Sequence, residues 1–144
     1  GCPGIADPGQ LLIAAAHRAG ATVKPLVGPS SILLSLMASG MNGQLFQFNG
    51  YLPVDAAVRN RRIRELEAYS QKQSSTQIFI ETPYRNQSLF NALVQNCKPQ
   101  TRLCVAVDLT GKGESIQTKT IEEWRKTIPV LQKQPAIFLI NAGT

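Results

Sequence analysis

The segment QIFIETPYRNQSLFNALV, residues 77–94, decides the fold of this chain of 144 residues. Its first part, Gln77 to Glu81, is a short run with three consecutive apolar residues, which predicts a buried strand. Thr82-Pro83 then predicts a helix start, because proline suits the first helical turn, where the backbone N–H needs no partner. Apolar residues recur after it at helical spacing and predict one buried helix face: Leu89, Phe90, Leu93 and Val94.

The chain after this segment continues the alternation of strand and helix. Thr120, followed three residues later by Glu123, has the form of a capping box and predicts a helix start. Four further elements are predicted, namely a strand at Leu103 to Leu109, a turn at Gly111 to Gly113, a short returning strand at Ser115 to Thr118, and a buried strand at Pro135 to Asn141.

The chain before the segment has the same character. Asp7 and Asp55 are predicted helix caps, because an aspartate side chain can accept backbone N–H bonds at a helix start. The predicted elements are a helix from Asp7-Pro8 to Gly20, a strand at Thr22 to Leu26, a helix through Ile32 to Met37 that ends at Gly40, a strand at Phe46 to Phe48, and a helix from Asp55 to about Gln71.

This order of elements predicts an α/β fold with a mixed, mostly parallel sheet and helices on both faces. We expect residues 1–28 to be the remnant of a preceding α/β domain and residues 29–144 to form a C-terminal α/β domain. In such sheets ligands bind beyond the carboxyl ends of the strands, so the loops that leave each strand are the candidate sites.

Composition excludes several classes of protein. The formal net charge of +6 favours phosphate-bearing partners. Three cysteines without C-x-x-C spacing and a lone His17 argue against a disulfide framework, a metal site or a histidine-based triad, and favour a reducing cytoplasm. The apolar runs are too short for a transmembrane helix. The chain also lacks an initiator methionine, and we expect it to be a fragment.

Five motifs in order resemble the tetrapyrrole-methylase superfamily of S-adenosylmethionine-dependent methyltransferases. The first, at Gly1 to Gly9, is similar to the G-x-P-x-x-x-D-P-G loop of that superfamily. The second, at Val23 to Ser31, is similar to the element of that superfamily in which a strand is followed by P-G-P-S. The later motifs are most similar to the branch that methylates ribose in small-subunit ribosomal RNA: Ser39-Gly40 with Phe46 to Phe48 and Gly50 to Pro53, then Phe79 to Arg85 (like "Y-E-S-P-H-R") and Asp108 to Lys112 (like "E-L-T-K").

The resemblance implies a methyltransferase that binds S-adenosylmethionine, has ribosomal RNA or the small-subunit particle as its partner, and forms a homodimer. It also implies that the first strand and glycine-rich loop of the family precede Gly1, so we expect this chain alone to be inactive. The residues that it assigns to the cofactor are Gly1, Cys2, Pro3, Gly28, Pro29, Ser30, Thr82, Leu109, Thr110, Pro135 and Ala136.

Four further residues are candidates for catalysis or substrate binding. Glu81 and Arg85 are the candidate catalytic pair, although an ion pair that only fixes the turn is an equal alternative. Asp7 is assigned to the substrate, and so is Arg59, because it opens the most basic helix on the side that faces the core. Two other functions stay open, methylation of a tetrapyrrole carbon and RNA binding without catalysis.

Overall fold

The computed structural model describes residues 2–143, which form five α-helices, one 3-10 turn and a five-stranded sheet. The sheet order is β1-β2-β5-β3-β4. The strands are β1 (Phe46–Tyr51), β2 (Thr76–Ile80), β3 (Arg102–Val107), β4 (Ser115–Thr120) and β5 (Ala136–Asn141). The helices are α1 (Gln10–Arg18), α2 (Ser31–Ser39), α3 (Ala56–Gln73), α4 (Asn86–Asn96) and α5 (Ile121–Lys126), and the 3-10 turn is Pro83–Arg85.

The α/β class and the mixed sheet are confirmed, but the prediction of mostly parallel pairing is wrong. Only β1 and β2 pair in parallel, whereas β2–β5, β3–β5 and β3–β4 are antiparallel. Each helical crossover does join strands of the same direction, as the alternation predicted. The tight connection from β3 to β4 reverses the chain, however, and α5 then carries it back so that β5 inserts between β2 and β3.

Helices cover both faces of the sheet, as predicted. On one face α2 packs over a cluster of buried residues: Ile32, Leu36, Met41, Ile78, Cys104, Ala106, Ile137 and Leu139. On the other face α3, α4 and α5 enclose a larger cluster that includes Ile63, Leu66, Phe79, Phe90, Trp124 and Phe138. Alternate residues of the central strands serve the two clusters, because side chains alternate across a strand.

Two of the predicted helix caps are present. The Asp55 carboxylate accepts a hydrogen bond from the Val58 N–H at 3.0 Å and begins α3. Thr120 and Glu123 form both bonds of the capping box that begins α5. Such caps depend only on residues close in sequence, which is why they were predictable.

The segment before α2 differs from the prediction. The first helix begins at Gln10 and not at Asp7, because Ala6 (φ 54°) and Gly9 (φ 144°) hold the preceding loop out of helical geometry. Thr22 to Leu26 forms no strand, since no neighbouring strand pairs with it and Leu26 is 91% exposed. No residue of α1 is buried, and residues 2–28 add no strand to the sheet. Their assignment to a separate domain stays a prediction.

Within residues 2–143, no helix combines the length and the apolar composition that crossing a bilayer requires.

Candidate functional site

A cleft lies at the edge of the sheet where β1, β2 and β3 end and β5 begins. It consists of two adjoining cavities of about 310 Å³ and about 370 Å³, which share Ser31, Ile80 and Ile137 in their walls. Ile80 ends β2, Ile137 follows the first residue of β5, and Ser31 is the first residue of α2. The cleft therefore occupies the position that the sequence predicted, beyond the carboxyl ends of the parallel strands.

The first cavity is closed by the loop that precedes α1. Cys2, Asp7 and Ser30 line it together with apolar residues of the sheet. The Cys2 thiol lies 3.2 Å from the carbonyl oxygen of Pro29 and 3.5 Å from that of Gly28, so it donates toward the turn that leads into α2. This contact fixes the loop against that turn.

Four of the predicted cofactor residues either do not line this cavity or lie outside the described residues. Pro3, Gly28 and Pro29 belong to the two joined turns but do not line the cavity. Gly1 lies outside the described residues.

The second cavity lies between the ends of β2 and β3 and the start of β5. Its walls contain four predicted residues, Glu81, Leu109, Pro135 and Ala136. Asp108 joins the two sides, because its N–H donates to the Pro135 carbonyl at 2.9 Å. The predicted residues Thr82 and Thr110 adjoin the cavity without lining it.

Asp108 is held in an unusual backbone conformation. Its φ of 49° and that of Thr110, 66°, lie in the left-handed region, which is uncommon for residues with a side chain. The Asp108 carboxylate accepts the Gly113 N–H at 2.9 Å, and the Glu114 carboxylate accepts the Thr110 N–H at 3.0 Å. These bonds hold a tight turn that presents Leu109 to the cleft.

Glu81 and Arg85 form the ion pair that the sequence allowed. The Arg85 Nε lies 3.3 Å from Oε1 of Glu81, and the Glu81 side chain is only 3% exposed. The same Oε1 accepts the Thr82 N–H at 2.8 Å. Arg85 Nε also lies 3.1 Å from the Thr82 hydroxyl, to which it donates. The pair fixes the turn, and Glu81 also lines the cleft, so both interpretations made from the sequence remain open.

Arg59 lies on α3, on the opposite face of the sheet from α2. It is half-buried and its Nη1 donates to the Ser88 hydroxyl of α4 at 3.2 Å, while its buried Nε has no partner among the described residues. Arg59 does not line either cavity. Its assignment to the substrate stays a prediction.

The cleft has a charge opposite to that of the chain as a whole. Its walls contain three carboxylates, those of Asp7, Glu81 and Asp108, and no lysine, arginine or histidine. The remaining walls are mostly apolar, with Phe48 and Ile80 among them. A cation with an apolar body fits such a site better than a phosphate does. Among residues 2–143, no group of three metal-ligating side chains lies together.

Sequence reasoning missed several residues of the cleft. Ser31 was named only as the end of the Val23 to Ser31 motif, and Ile80 and Ile137 only fell within predicted buried strands, yet all three line both cavities. Position at a carboxyl strand end was the available signal for Ile80. Nothing local marks Ile137, because its place depends on the insertion of β5 between β2 and β3.

The fold is that of the tetrapyrrole methylases. No protein-family model matches the chain. The crystal structure of the methyltransferase CobJ matches with a TM-score of 0.61 and 18% identity, over 98% of this chain and 61% of that one. Uroporphyrin-III C-methyl transferase from Thermus thermophilus, solved with S-adenosylhomocysteine, matches with a TM-score of 0.53 and 17% identity, over 98% of this chain and 62% of that one.

In sequence the chain is similar to a particular group of methyltransferases. It is 32% identical over 123 residues to "Ribosomal RNA small subunit methyltransferase I" of Vibrio cholerae serotype O1, an alignment that covers 85% of this chain and 41% of that protein. The chain thus spans about two fifths of the length of this curated relative. The sequence similarity to small-subunit ribosomal RNA methyltransferases that the motifs indicated is confirmed, and so is the fold that the resemblance implied.

Proposed function

We propose that the complete gene product carrying this chain is an S-adenosylmethionine-dependent methyltransferase that methylates a ribose 2′-hydroxyl in small-subunit ribosomal RNA. The name of the Vibrio cholerae relative supports the reaction and the RNA, and the S-adenosylhomocysteine bound to the Thermus thermophilus neighbour supports the cofactor. The motifs of the ribose-methylating branch support the acceptor.

The charge of the cleft is the observation that carries this proposal. S-adenosylmethionine has a sulfonium cation. The cleft walls hold three carboxylates and no cationic side chain, and only Glu81 has an ion-pair partner among the described residues, Arg85, in a chain whose net charge is +6. The chain therefore attracts a polyanion over its surface and a cation in its cleft. When bound, the cofactor supplies the methyl group.

The other residues of the cleft would bind the cofactor and hold it in position. Leu109, Pro135 and Ala136 offer an apolar wall for the adenosine, which excludes water from one side of the site. The turns at Cys2 and Pro29 bring backbone carbonyls close together beside the first cavity. In-line methyl transfer depends mainly on the alignment of donor and acceptor, so rigid walls are what the chain must provide.

Glu81 and Arg85 are proposed to act on the substrate side of the cleft. The Glu81 carboxylate lines the second cavity and is aligned by the Thr82 N–H and by Arg85. In this position it can orient a ribose hydroxyl as a hydrogen-bond acceptor. Asp7, in the wall of the first cavity, is the second carboxylate within the cleft that could do so.

The proposal includes a cytoplasmic homodimer. Exposed apolar side chains before α2 support burial against further protein, since Leu11, Leu12, Leu26 and Val27 are all more than three quarters exposed. The three cysteines are free, which agrees with a reducing compartment. By the resemblance, a preceding glycine-rich loop completes the cofactor site, so we expect the isolated chain to be inactive.

Methylation of a tetrapyrrole carbon is the second candidate, because the solved neighbours with the same fold include a uroporphyrin-III C-methyl transferase. RNA binding without catalysis is the third, and it applies to the chain of 144 residues by itself.

The test is methyl transfer from labelled S-adenosylmethionine by the complete gene product, with two acceptors offered in parallel. The acceptors are small subunits from a strain that lacks the gene, and uroporphyrinogen III. We expect label in the RNA as a 2′-O-methyl nucleoside and none in the tetrapyrrole. Label only in the tetrapyrrole selects the second candidate, and label in neither refutes the proposed enzyme activity.

Two tryptophan substitutions on α2 test whether methyl transfer takes place in this cleft. Ser31→Trp fills the space that both cavities share, so transfer should fall at least tenfold. Leu33→Trp is the matched control, because Leu33 is exposed on the same helix and lines neither cavity. Equal activity of the two variants would place the reaction outside this cleft.

A further inference from the structure

The turn Thr82-Pro83-Tyr84-Arg85 stands at the rim of the cleft, directly after Glu81. Pro83 lines the second cavity, whereas the exposed Tyr84 and the partly exposed Arg85 do not line it. The turn begins a 3-10 helix that leads into α4, so its backbone is fixed at both ends. Two functional groups are thereby presented side by side, a phenol ring and a guanidinium.

Arg85 is anchored through one nitrogen only. Its Nε lies 3.3 Å from the buried Glu81 carboxylate and donates to the Thr82 hydroxyl at 3.1 Å. Neither terminal nitrogen has a hydrogen bond to any described residue, and 38% of the side chain is exposed. A guanidinium held at Nε with free terminal nitrogens is preorganised to bind an anion from solvent, since the planar fork matches phosphate geometry.

Tyr84 supplies a flat surface beside this guanidinium. Its ring is 70% exposed, and its centroid lies 5.8 Å from the central guanidinium carbon of Arg85. A large exposed aromatic side chain on a rigid turn is a stacking surface that loses little conformational entropy on binding. The structure places one aromatic and one basic residue together at the cleft.

We propose that Tyr84 and Arg85 form a nucleotide clamp, in which Tyr84 stacks on an RNA base and Arg85 binds an adjacent phosphate. The inference rests on the proposed function, because it supplies the RNA contact that the cleft lacks. Of the three carboxylates in the cleft walls, Glu81 is paired with Arg85, but no ion pair among the described residues neutralises Asp7 or Asp108. The cleft therefore disfavours phosphate, whereas the clamp at the rim carries a cation. A strand held there presents a neighbouring ribose to the cleft while its phosphates stay outside.

Binding of a short RNA by this chain tests the clamp. The probe is a fluorescein-labelled single-stranded RNA of about 12 nucleotides and mixed sequence, followed by anisotropy over a series of salt concentrations. Tyr84→Ala should weaken binding roughly tenfold, and Tyr84→Phe should stay within about twofold, because the ring carries the contact. Arg85→Gln should weaken binding about tenfold and lower the salt slope by about 0.7.

Two matched variants separate a clamp from diffuse attraction. Tyr69→Ala removes a tyrosine that is 46% exposed on α3, and Arg61→Gln removes an exposed arginine of the same helix. Both should change affinity less than twofold. The clamp is wrong if Arg85→Gln and Arg61→Gln lose the same affinity, or if Tyr84→Ala binds like wild type.

Failure of this inference and failure of the proposed function are distinguishable. Wild-type chain that shows no salt-dependent RNA binding overturns the clamp, whereas the proposed function is decided separately by methyl transfer from the complete gene product. Circular dichroism of each variant confirms that the fold is kept, and the comparison of Arg85→Gln with Arg61→Gln keeps the clamp falsifiable if Tyr84→Ala unfolds.

Discussion

We expect Gly111→Ala to disrupt the turn at residues 108–113, which forms part of the cleft wall. The effect should disappear when the carboxylate of Asp108 is removed. A Cβ atom at Gly111 would overlap both carboxylate oxygens of Asp108. Gly111 itself has no positive φ, so alanine is otherwise compatible with its backbone. The cost of Gly111→Ala therefore comes from the displaced carboxylate and not from the backbone.

The magnitude follows from the bond that must break. When the carboxylate moves away, it loses the Gly113 N–H at 2.9 Å. Hydrogen bonds to charged groups contribute about 1.5–3 kcal/mol, and the exposed position of this one places it at the lower end. We expect Gly111→Ala to lower the free energy of unfolding by about 1.5 kcal/mol.

Asp108→Gly provides the matched background. Glycine suits the φ of 49° at this position and removes the carboxylate. In this background Gly111→Ala should cost nothing, or stabilise the chain by about 0.5 kcal/mol through the lower entropy of the unfolded state. The coupling energy between the two positions should thus be about 1.5–2 kcal/mol.

Urea unfolding of the four proteins measures this coupling, with the fluorescence of the single, buried Trp124 as the signal. If Gly111→Ala costs the same in both backgrounds to within about 0.3 kcal/mol, the carboxylate does not define the turn and the reasoning is refuted.

Three further predictions concern the start of α5 and the cysteines. Thr120→Ala should lower the free energy of unfolding by about 1 kcal/mol in urea, because it removes half of the capping box. The hydrogen bond from the Thr120 N–H lowers the pKa of Glu123 in the folded chain. The stability that wild type has over Glu123→Gln should therefore be complete above the pKa of glutamate in the unfolded chain, and should vanish as pH falls through the lower pKa of the folded chain. A stability difference that stays the same in acid contradicts this prediction. Burial raises the pKa of the Cys97 and Cys104 thiols and shields them from solvent. Ellman's reagent at neutral pH should therefore label Cys2 alone in the native chain and all three cysteines in urea. Rapid labelling of Cys97 or Cys104 in the native chain contradicts their burial.

Much of the fold could be predicted because it depends on local sequence. The caps at Asp55 and Thr120 and the buried face of α4 were predicted from residue type and spacing alone, and the structure has them. The position of the cleft followed from the same alternation of strand and helix, because parallel crossovers place their carboxyl ends at one edge.

The strand directions could not be predicted in this way. Each crossover was interpreted correctly, but the sheet order depends on β5 entering between β2 and β3, which is a contact between distant parts of the chain. The insertion of β5 also places Ile137 opposite Ile80 and Pro135 opposite Asp108. The part of the cleft wall that β5 supplies is therefore not indicated by any local sequence pattern. The predicted start of α1 at Asp7 was wrong for a different reason, since the residue type of Ala6 does not indicate its positive φ.

The state of small-subunit RNA in cells tests the central claim most directly. Ribosomal RNA from a strain that lacks the complete gene is digested to nucleosides and compared with wild type by mass spectrometry. One 2′-O-methylated nucleoside should be missing, and the wild-type gene should restore it, whereas the gene with Ser31→Trp should not. A full set of 2′-O-methyl nucleosides in the deletion strain would contradict the claim that this cleft serves RNA methylation.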